Sequence, residues 1–340
     1  MAVLIDDIGS FPLPHAISQE AFSRAYVAAR DAFAKGADPR SDEFVKANFC
    51  EVVLDSFRKK LTAGLDVVNF PQHYDGVKQI GDVLHKAMDN GTFVVDEKDA
   101  FLPEVRLISQ EAKNLSEEFG KQILLRISLF GPMELYLKEI GTTPYPDVLD
   151  GFAQTIRLFA KNSILDTKYL KTEVVCIDEP SFGFLNINAA NDLIQQTLAK
   201  AFDFSGATRQ IHLHSSVRLP DLLQIKNLDV LTFEYAASPK NIEGVTKRML
   251  EAADKRVRVG VARTDIDTIL AELHDQGIAN PSAEQLVESK AAIHKRYLFA
   301  KEKFGDQMTF TGPDCGLGGW PSQDAAQMLL ARVVEAVKNQ

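Results

Sequence analysis

Four residues in this chain carry chemistry that none of them carries alone. His212 and His214 stand two apart in an apolar, β-branched run, Glu234 closes the next such run, and Cys315 follows the last one. Imidazole nitrogen, carboxylate oxygen and thiolate sulfur are the donor types that zinc accepts in a tetrahedral shell. On a strand, residues two apart project to one side, so both imidazoles can face the same point. A thiolate beside nitrogen donors disfavours calcium and magnesium, which take oxygen shells, while iron and copper share these donor types. Each residue also has an ordinary role: a His-x-His pair can be structural, a strand-end Glu solvated, and a lone Cys a small core residue. Convergence of the four at one place is what would make a metal centre.

The elements that must position them alternate along the chain. Strand patterns fall at 3–8, 66–70, 123–128, 173–178, 209–214, 228–234, 256–261 and 307–311. Helical periodicity falls at 41–61, 150–165, 188–202, 241–253, 283–303 and 323–337. Strand–helix alternation at this length predicts a parallel sheet, and eight strands predict a closed (β/α)₈ TIM barrel, one domain over 1–340. Gln210, His212 and His214 would face inward while Ile211 and Leu213 face the helices. An open doubly wound sheet would instead have strands apolar on both faces. The segment 71–122 is longer than a barrel requires, with helical patterns at 75–88 and 103–119 and a short extra strand expected at 91–95. In a parallel barrel the C-terminal strand ends share one face. Gly9 and Ser10, Gln72, Asp178, the histidine pair, Glu234 and Cys315 should therefore be neighbours.

Composition narrows the partners. The net charge of −9 excludes an extended basic surface for nucleic acid or anionic lipid. No apolar run reaches the length of a membrane span, and the N-terminus shows no basic or apolar leader pattern, so a cytoplasmic protein is expected. Three scattered cysteines make no disulfide framework. Cys50 and Cys176 read as buried packing residues, His73 as a loop histidine, and His15, His85, His274 and His294 as surface residues. The run Gly316, Leu317, Gly318, Gly319 has the flexibility of a phosphate cradle but no basic residue.

Six motifs now fall in order: Ile8-Gly9-Ser10-Phe11-Pro12, Gly64-Leu65-Asp66-Val67, Ile177-Asp178-Glu179-Pro180, His212-Leu213-His214, Phe233-Glu234 and Pro313-Asp314-Cys315-Gly316-Leu317. Together they resemble the catalytic barrel of the cobalamin-independent methionine synthases over about residues 5–335. Lacking that family's second barrel, the chain is most similar to its short "core" members of archaea and anaerobic bacteria. The resemblance implies a zinc methyltransferase that makes methionine from homocysteine, with a methylated corrinoid, free or on a carrier protein, as methyl donor. It implies His212, Glu234 and Cys315 as zinc ligands, with His214 where the family has a second cysteine. It further implies that Gly9 and Ser10 grip the amino-acid carboxylate and that Asp178 holds the ammonium. Gln72 replaces a family glutamate, and Arg263-Thr264-Asp265 stands where longer members place a histidine acid. A donor whose leaving group needs no proton is in keeping with that loss.

Three other expectations stay open on the sequence. The same chemistry could serve another thiol such as coenzyme M, with Arg126 or Arg263 clamping its sulfonate. The histidine pair also occurs in metal-dependent hydrolase barrels, although the further histidines they use are scarce here. A non-catalytic homologue would bind ligand without turnover.

Overall fold

The structure, a computed structural model, describes residues 2–185 and 187–338; Met1, Asn186, Asn339 and Gln340 lie outside the described residues. Among these, eight parallel strands form in chain order. They are β1 (Leu4–Ile5), β2 (Val68–Asn69), β3 (Ile123–Phe130) and β4 (Leu170–Asp178), then β5 (Thr208–Leu213), β6 (Val230–Phe233), β7 (Arg256–Ala262) and β8 (Met308–Pro313). They pair β1-β8-β7-β6-β5-β4-β3-β2. The two ends of that order meet in a parallel bridge between Asp6 and Val67, and the Asp66 and Val67 amides both donate to Ile5 O at 2.9 and 3.1 Å. The sheet thus closes on itself, and the fold is a single-domain (β/α)₈ barrel, not an open doubly wound sheet.

Alternation along each strand sorts its residues. Ile127, Leu129, Val175, Ile177, Ile211, Leu213, Leu231 and Phe233 join the core between sheet and helices. The opposite parity fills the barrel in layers. At the bottom Val67, Val174, Val230 and Phe310 form a separate apolar plug. Above it lies a charged layer in which Asp6 Oδ2 accepts from Arg126 Nη1 at 2.6 Å and Asp6 Oδ1 from Arg258 Nε at 2.5 Å, all three residues fully buried. Arg126 Nη1 also donates to Gln210 Oε1 and Arg258 Nη2 to Pro313 O. The charged residues of this layer therefore bond one another across the barrel, as buried charge requires.

Several elements depart from the periodicity. The segment 91–95 is no strand: Thr155 Oγ1 takes the Val95 amide and donates to Phe93 O, so side-chain bonds replace a strand partner. The 41–61 helix is interrupted by a π-turn, Lys46–Cys50, that buries Phe49 and Cys50. The 283–303 helix breaks into Ala283–Leu286 and Lys290–Phe304, with Ser289 capping the second. Helices Gln19–Ala34, Pro132–Glu139 and Ile266–Asp275 were not expected. The first buries Phe22, Ala25, Tyr26, Ala29 and Phe33, a stripe whose alanines give the period little contrast. No helix among the described residues is long and apolar enough to cross a membrane.

Replacing Asp6 by alanine leaves two guanidinium groups buried without their shared carboxylate. A loss of about 3–5 kcal/mol is expected, the range for breaking a buried ion pair. The midpoint of urea unfolding measures it, and a change under about 1 kcal/mol would show that the charged layer does not hold the barrel closed.

Candidate metal centre and substrate cavity

His212 lies within β5 with its Cα paired to Asp178 and Thr232, and His214 follows one residue past the strand. Glu234 stands one residue past β6 and Cys315 two past β8. One donor atom from each of the four lies within 4.8 Å of the others. Cys315 Sγ is 3.4 Å from His214 Nε2, which is 3.6 Å from Glu234 Oε1. Donors bound at about 2.0–2.3 Å in a tetrahedral shell stand roughly 3.3–3.8 Å apart, so these separations suit a zinc-sized ion. Both ring nitrogens of His212 are buried and without a protein hydrogen bond. A buried imidazole orphaned on both nitrogens fits a ligand to be supplied from outside the chain.

The electrostatics agree. Burial, then the neighbouring His214, pushes the His212 imidazole well below its ordinary range, and burial also lowers His214. Burial, reinforced by Asp314, pushes Glu234 up to about 8. Burial and the Glu234 charge push Cys315 up to about 12. The site thus favours neutral donors until a cation is added, and a divalent ion would draw both acids into their anionic, ligating forms.

Side chains remote from the cluster hold its loops. Asn241 Nδ2 donates to His214 O at 2.7 Å and to Glu234 O at 3.0 Å, while its Oδ1 accepts from Ser216 N at 3.1 Å. Asp314 is fully buried and accepts from the amides of Tyr235, Ala236 and Ala237 at 3.0, 3.0 and 2.7 Å. Only glycine fits at 260, because a Cβ there would collide with Asp314 Oδ1. Neither residue was assigned a role from the sequence. Asn241 was placed at the start of a helix, which in fact begins at Lys247 after a 3₁₀ turn, Pro239–Glu243. Nothing in the sequence marks a single Asn as a cross-loop staple.

A cavity of about 510 Å³ opens beside the cluster. His212, His214 and Cys315 line it, together with Gly9, Ser10, Gln72 and Asp178. The loop after β1 is held at successive carbonyls. Lys60 Nζ, buried in an ion pair with Asp7, donates to Gly9 O at 3.1 Å. Leu317 N donates to Ser10 O at 2.8 Å, His73 Nδ1 bonds Phe11 O at 2.9 Å, and Gln323 Nε2 donates to Pro12 O at 2.8 Å. Gly9 sits at φ +58°, which any other residue adopts at a cost. His73, placed on the sequence as a loop histidine, is buried with both ring nitrogens engaged.

The glycines after Cys315 serve close approach. Gly318 N donates to Ser10 Oγ at 3.1 Å, and a Cβ at 316 or 318 would fall 2.5 or 2.7 Å from that oxygen. Asp178 is buried at the cavity wall, with its carboxyl raised to about 6 by burial and drawn back chiefly by Arg126. The adjacent Glu179 accepts from Met133 N and Glu134 N at 2.9 and 2.7 Å, capping the helix Pro132–Glu139 that flanks the cavity. Neither Arg126, fully buried in the barrel, nor Arg263 lines this cavity, and the Arg263 guanidinium is bonded to Asp265 and Glu272.

No protein-family model and no curated protein sequence matches the chain. Its fold is similar to that of a B12-independent methionine synthase from Shewanella sp. W3-18-1, solved in complex with selenomethionine. That likeness has a TM-score of 0.63 at 13% identity and covers 100% of this chain and 98% of that one. The homocysteine methyltransferase MmuM from Escherichia coli aligns over 98% and 96% of the two chains, at a TM-score of 0.42 and 11% identity. A GH113 β-1,4-mannanase does so over 97% and 99%, at 0.45 and 9%. At these identities the likeness shows the barrel and nothing finer.

Asn241→Ala should free both ligand-bearing loops at once. Zinc affinity is expected to fall about 10-fold or more, as for other groups that orient metal ligands. Competition with a chromophoric chelator measures it, and unchanged affinity would remove Asn241 from the centre's support.

Proposed function

We propose that the chain is a zinc-dependent methyltransferase, one catalytic barrel over 1–340, that moves a methyl group from a methylated corrinoid to the thiol of homocysteine and so makes methionine. The observation that carries this reading is that one cavity brings two sets of groups side by side. A cluster of zinc-type donors (His212, His214, Glu234, Cys315) adjoins a carboxylate, Asp178, paired in register with His212, and a serine loop bonded to the segment after Cys315. The methionine synthase that shares the fold was solved with selenomethionine, a product-like amino acid, which supports the same assignment here. The three free cysteines are in keeping with the reducing cytoplasm.

In this reading His212, His214, Glu234 and Cys315 hold the zinc ion. Bound there, zinc would lower the pKa of the substrate thiol so that thiolate is present at neutral pH. The chain's own residues do the rest. Asp178 holds the α-ammonium, and the Gly9–Ser10 loop, fixed at its carbonyls, receives the α-carboxylate. With that end fixed, the side chain of the amino acid extends across the cavity and brings its sulfur to the donor cluster. Sulfur then attacks the methyl carbon in line, the carbon–sulfur bond forms, and the electron pair of the broken bond stays on the departing donor. No proton is needed by a corrinoid leaving group, and the segment 263–265 after β7 presents no histidine acid. That neither Arg126 nor Arg263 lines the cavity favours an amino-acid thiol over a sulfonated one.

Cys315→Ser should abolish stoichiometric zinc, read by elemental analysis, together with methionine formation from methylcobalamin and homocysteine. Full metal content with normal turnover in that variant would sink the assignment, and wild-type protein devoid of metal after purification would point to a non-catalytic homologue.

A pH profile gives an independent check. Because the Asp178 carboxyl is raised to about 6 by burial, partly offset by Arg126, it is protonated below that pH and ionised above it. The homocysteine ammonium keeps its charge throughout, so KM should fall as pH rises through about 6. Asp178→Asn should raise KM and flatten this dependence; a KM unaffected by the substitution would place the ammonium elsewhere.

A further inference from the structure

Below the cavity floor, four residues on three adjacent strands turn into the barrel. Arg126 and Ser128 lie on β3, Asp178 on β4 and Gln210 on β5, each flanked by residues that face the helices. Register sets Ser128 beside Cys176, Phe130 beside Asp178, and Cys176 beside Gln210. These four carry buried polar atoms with no close protein hydrogen bond, Arg126 Nε and Nη2, Ser128 Oγ, Asp178 Oδ1 and Gln210 Nε2, while the Cys176 thiol and the Ser128 hydroxyl are the protein groups beside the Asp178 carboxyl. Buried polar atoms in folded proteins are satisfied by protein or by ordered water. Here the guanidinium and amide supply donors, and Asp178 supplies a matching acceptor.

The charges point the same way. Arg126 shares its one directly bonded carboxylate, Asp6, with Arg258. The other buried carboxylate near Arg258, Asp314, is taken up by three backbone amides. Two guanidinium groups on one carboxylate leave positive charge in a medium that tolerates little of it. Asp178 is the next carboxylate up the column.

We infer that Arg126 is the positioning residue for Asp178: its free donor edge, through ordered water anchored on Ser128 and Gln210, holds Asp178 as an anion directed at the cavity. The inference rests on the proposed function for the identity of the group that Asp178 meets, an ammonium. Burial alone opposes a charge on Asp178, and Arg126 exerts the largest opposing pull. Selectivity for a cationic amino-acid end over an uncharged thiol is thus set from the interior of the barrel, by a residue that does not line the cavity.

Two experiments test this. A double-mutant cycle on unfolding, with Arg126→Met, Asp178→Asn and both together, should show a coupling of at least about tenfold in the unfolding equilibrium constant, within the range for residues of one network. Additive effects would overturn the inference. This readout does not depend on turnover, so a wild-type enzyme inactive on homocysteine would defeat the proposed function and leave this question to the cycle. In turnover, Arg126→Met should raise KM for homocysteine about tenfold while leaving 4-mercaptobutyrate, the same thiol without the ammonium, within about twofold. Arg126→Lys should restore most of the difference. Equal losses on both thiols would show a merely structural role. If Arg126→Met does not fold, Ser128→Ala keeps the Asp6 pair intact and should raise only the homocysteine KM, by about two- to fivefold; no change, or the same change on both thiols, would overturn the inference.

Discussion

Asp6 holds two guanidinium groups from opposite sides of the barrel, and the rest of the architecture depends on that arrangement. Arg126 comes from β3 and Arg258 from β7, while Asp6 itself sits at the β1–β2 seam where the sheet closes. A charged triad at this depth is stable only if each partner is held in place, since removing one exposes the others to an apolar surround. The layer separates the apolar plug beneath from the polar cavity above. It also sets the local field: Asp178 and Asp314, one beside the cavity and one beneath the Cys315 loop, both feel the arginines as their carboxyls rise to about 6 under burial.

Upward from that layer, precision passes from the sheet to side chains that bind loops. Strand register places His212, but His214, Glu234 and Cys315 all lie past the strand ends, where backbone pairing no longer fixes them. Asn241 and Asp314 take over, the first tying the β5 loop to the β6 end and the second gathering three consecutive amides. The Gly9–Ser10 loop is treated likewise, by Lys60, His73 and Gln323. Support of this kind is what allows a site on loops to keep its donor atoms a few ångströms apart.

The barrel was legible because its signal is long-range and repetitive: eight alternating runs, with parity that sends Ile211 and Leu213 outward and Gln210 and His212 inward. The gathering of His212, His214, Glu234 and Cys315 followed from the rule that strand ends share a face. What escaped was local. Gln19–Ala34 hides its period behind alanines, and the 91–95 run has strand composition but finds Thr155 in place of a strand. The helix expected from 241 begins only at Lys247, after a 3₁₀ turn in which the Asn241 side chain bonds two loop carbonyls. In the last two cases a side chain bonds a backbone group from another element, and the periodicity of the segment itself does not contain that fact. His73 and the 316–319 glycines show the same thing: their types are visible in the sequence, their partners are not.

The contact between Ser10 and the Cys315 loop has a thermodynamic consequence. Leu317 N bonds Ser10 O and Gly318 N bonds Ser10 Oγ, so the loop that carries Cys315 and the loop that carries Gly9 and Ser10 are tied together. A ligand that orders one of these segments would prepare the other, and the preparation would be mutual by linkage. On the proposed function, metal and amino acid would be cooperative ligands of this fold even before they touch each other: each would lower the entropy the other must still remove.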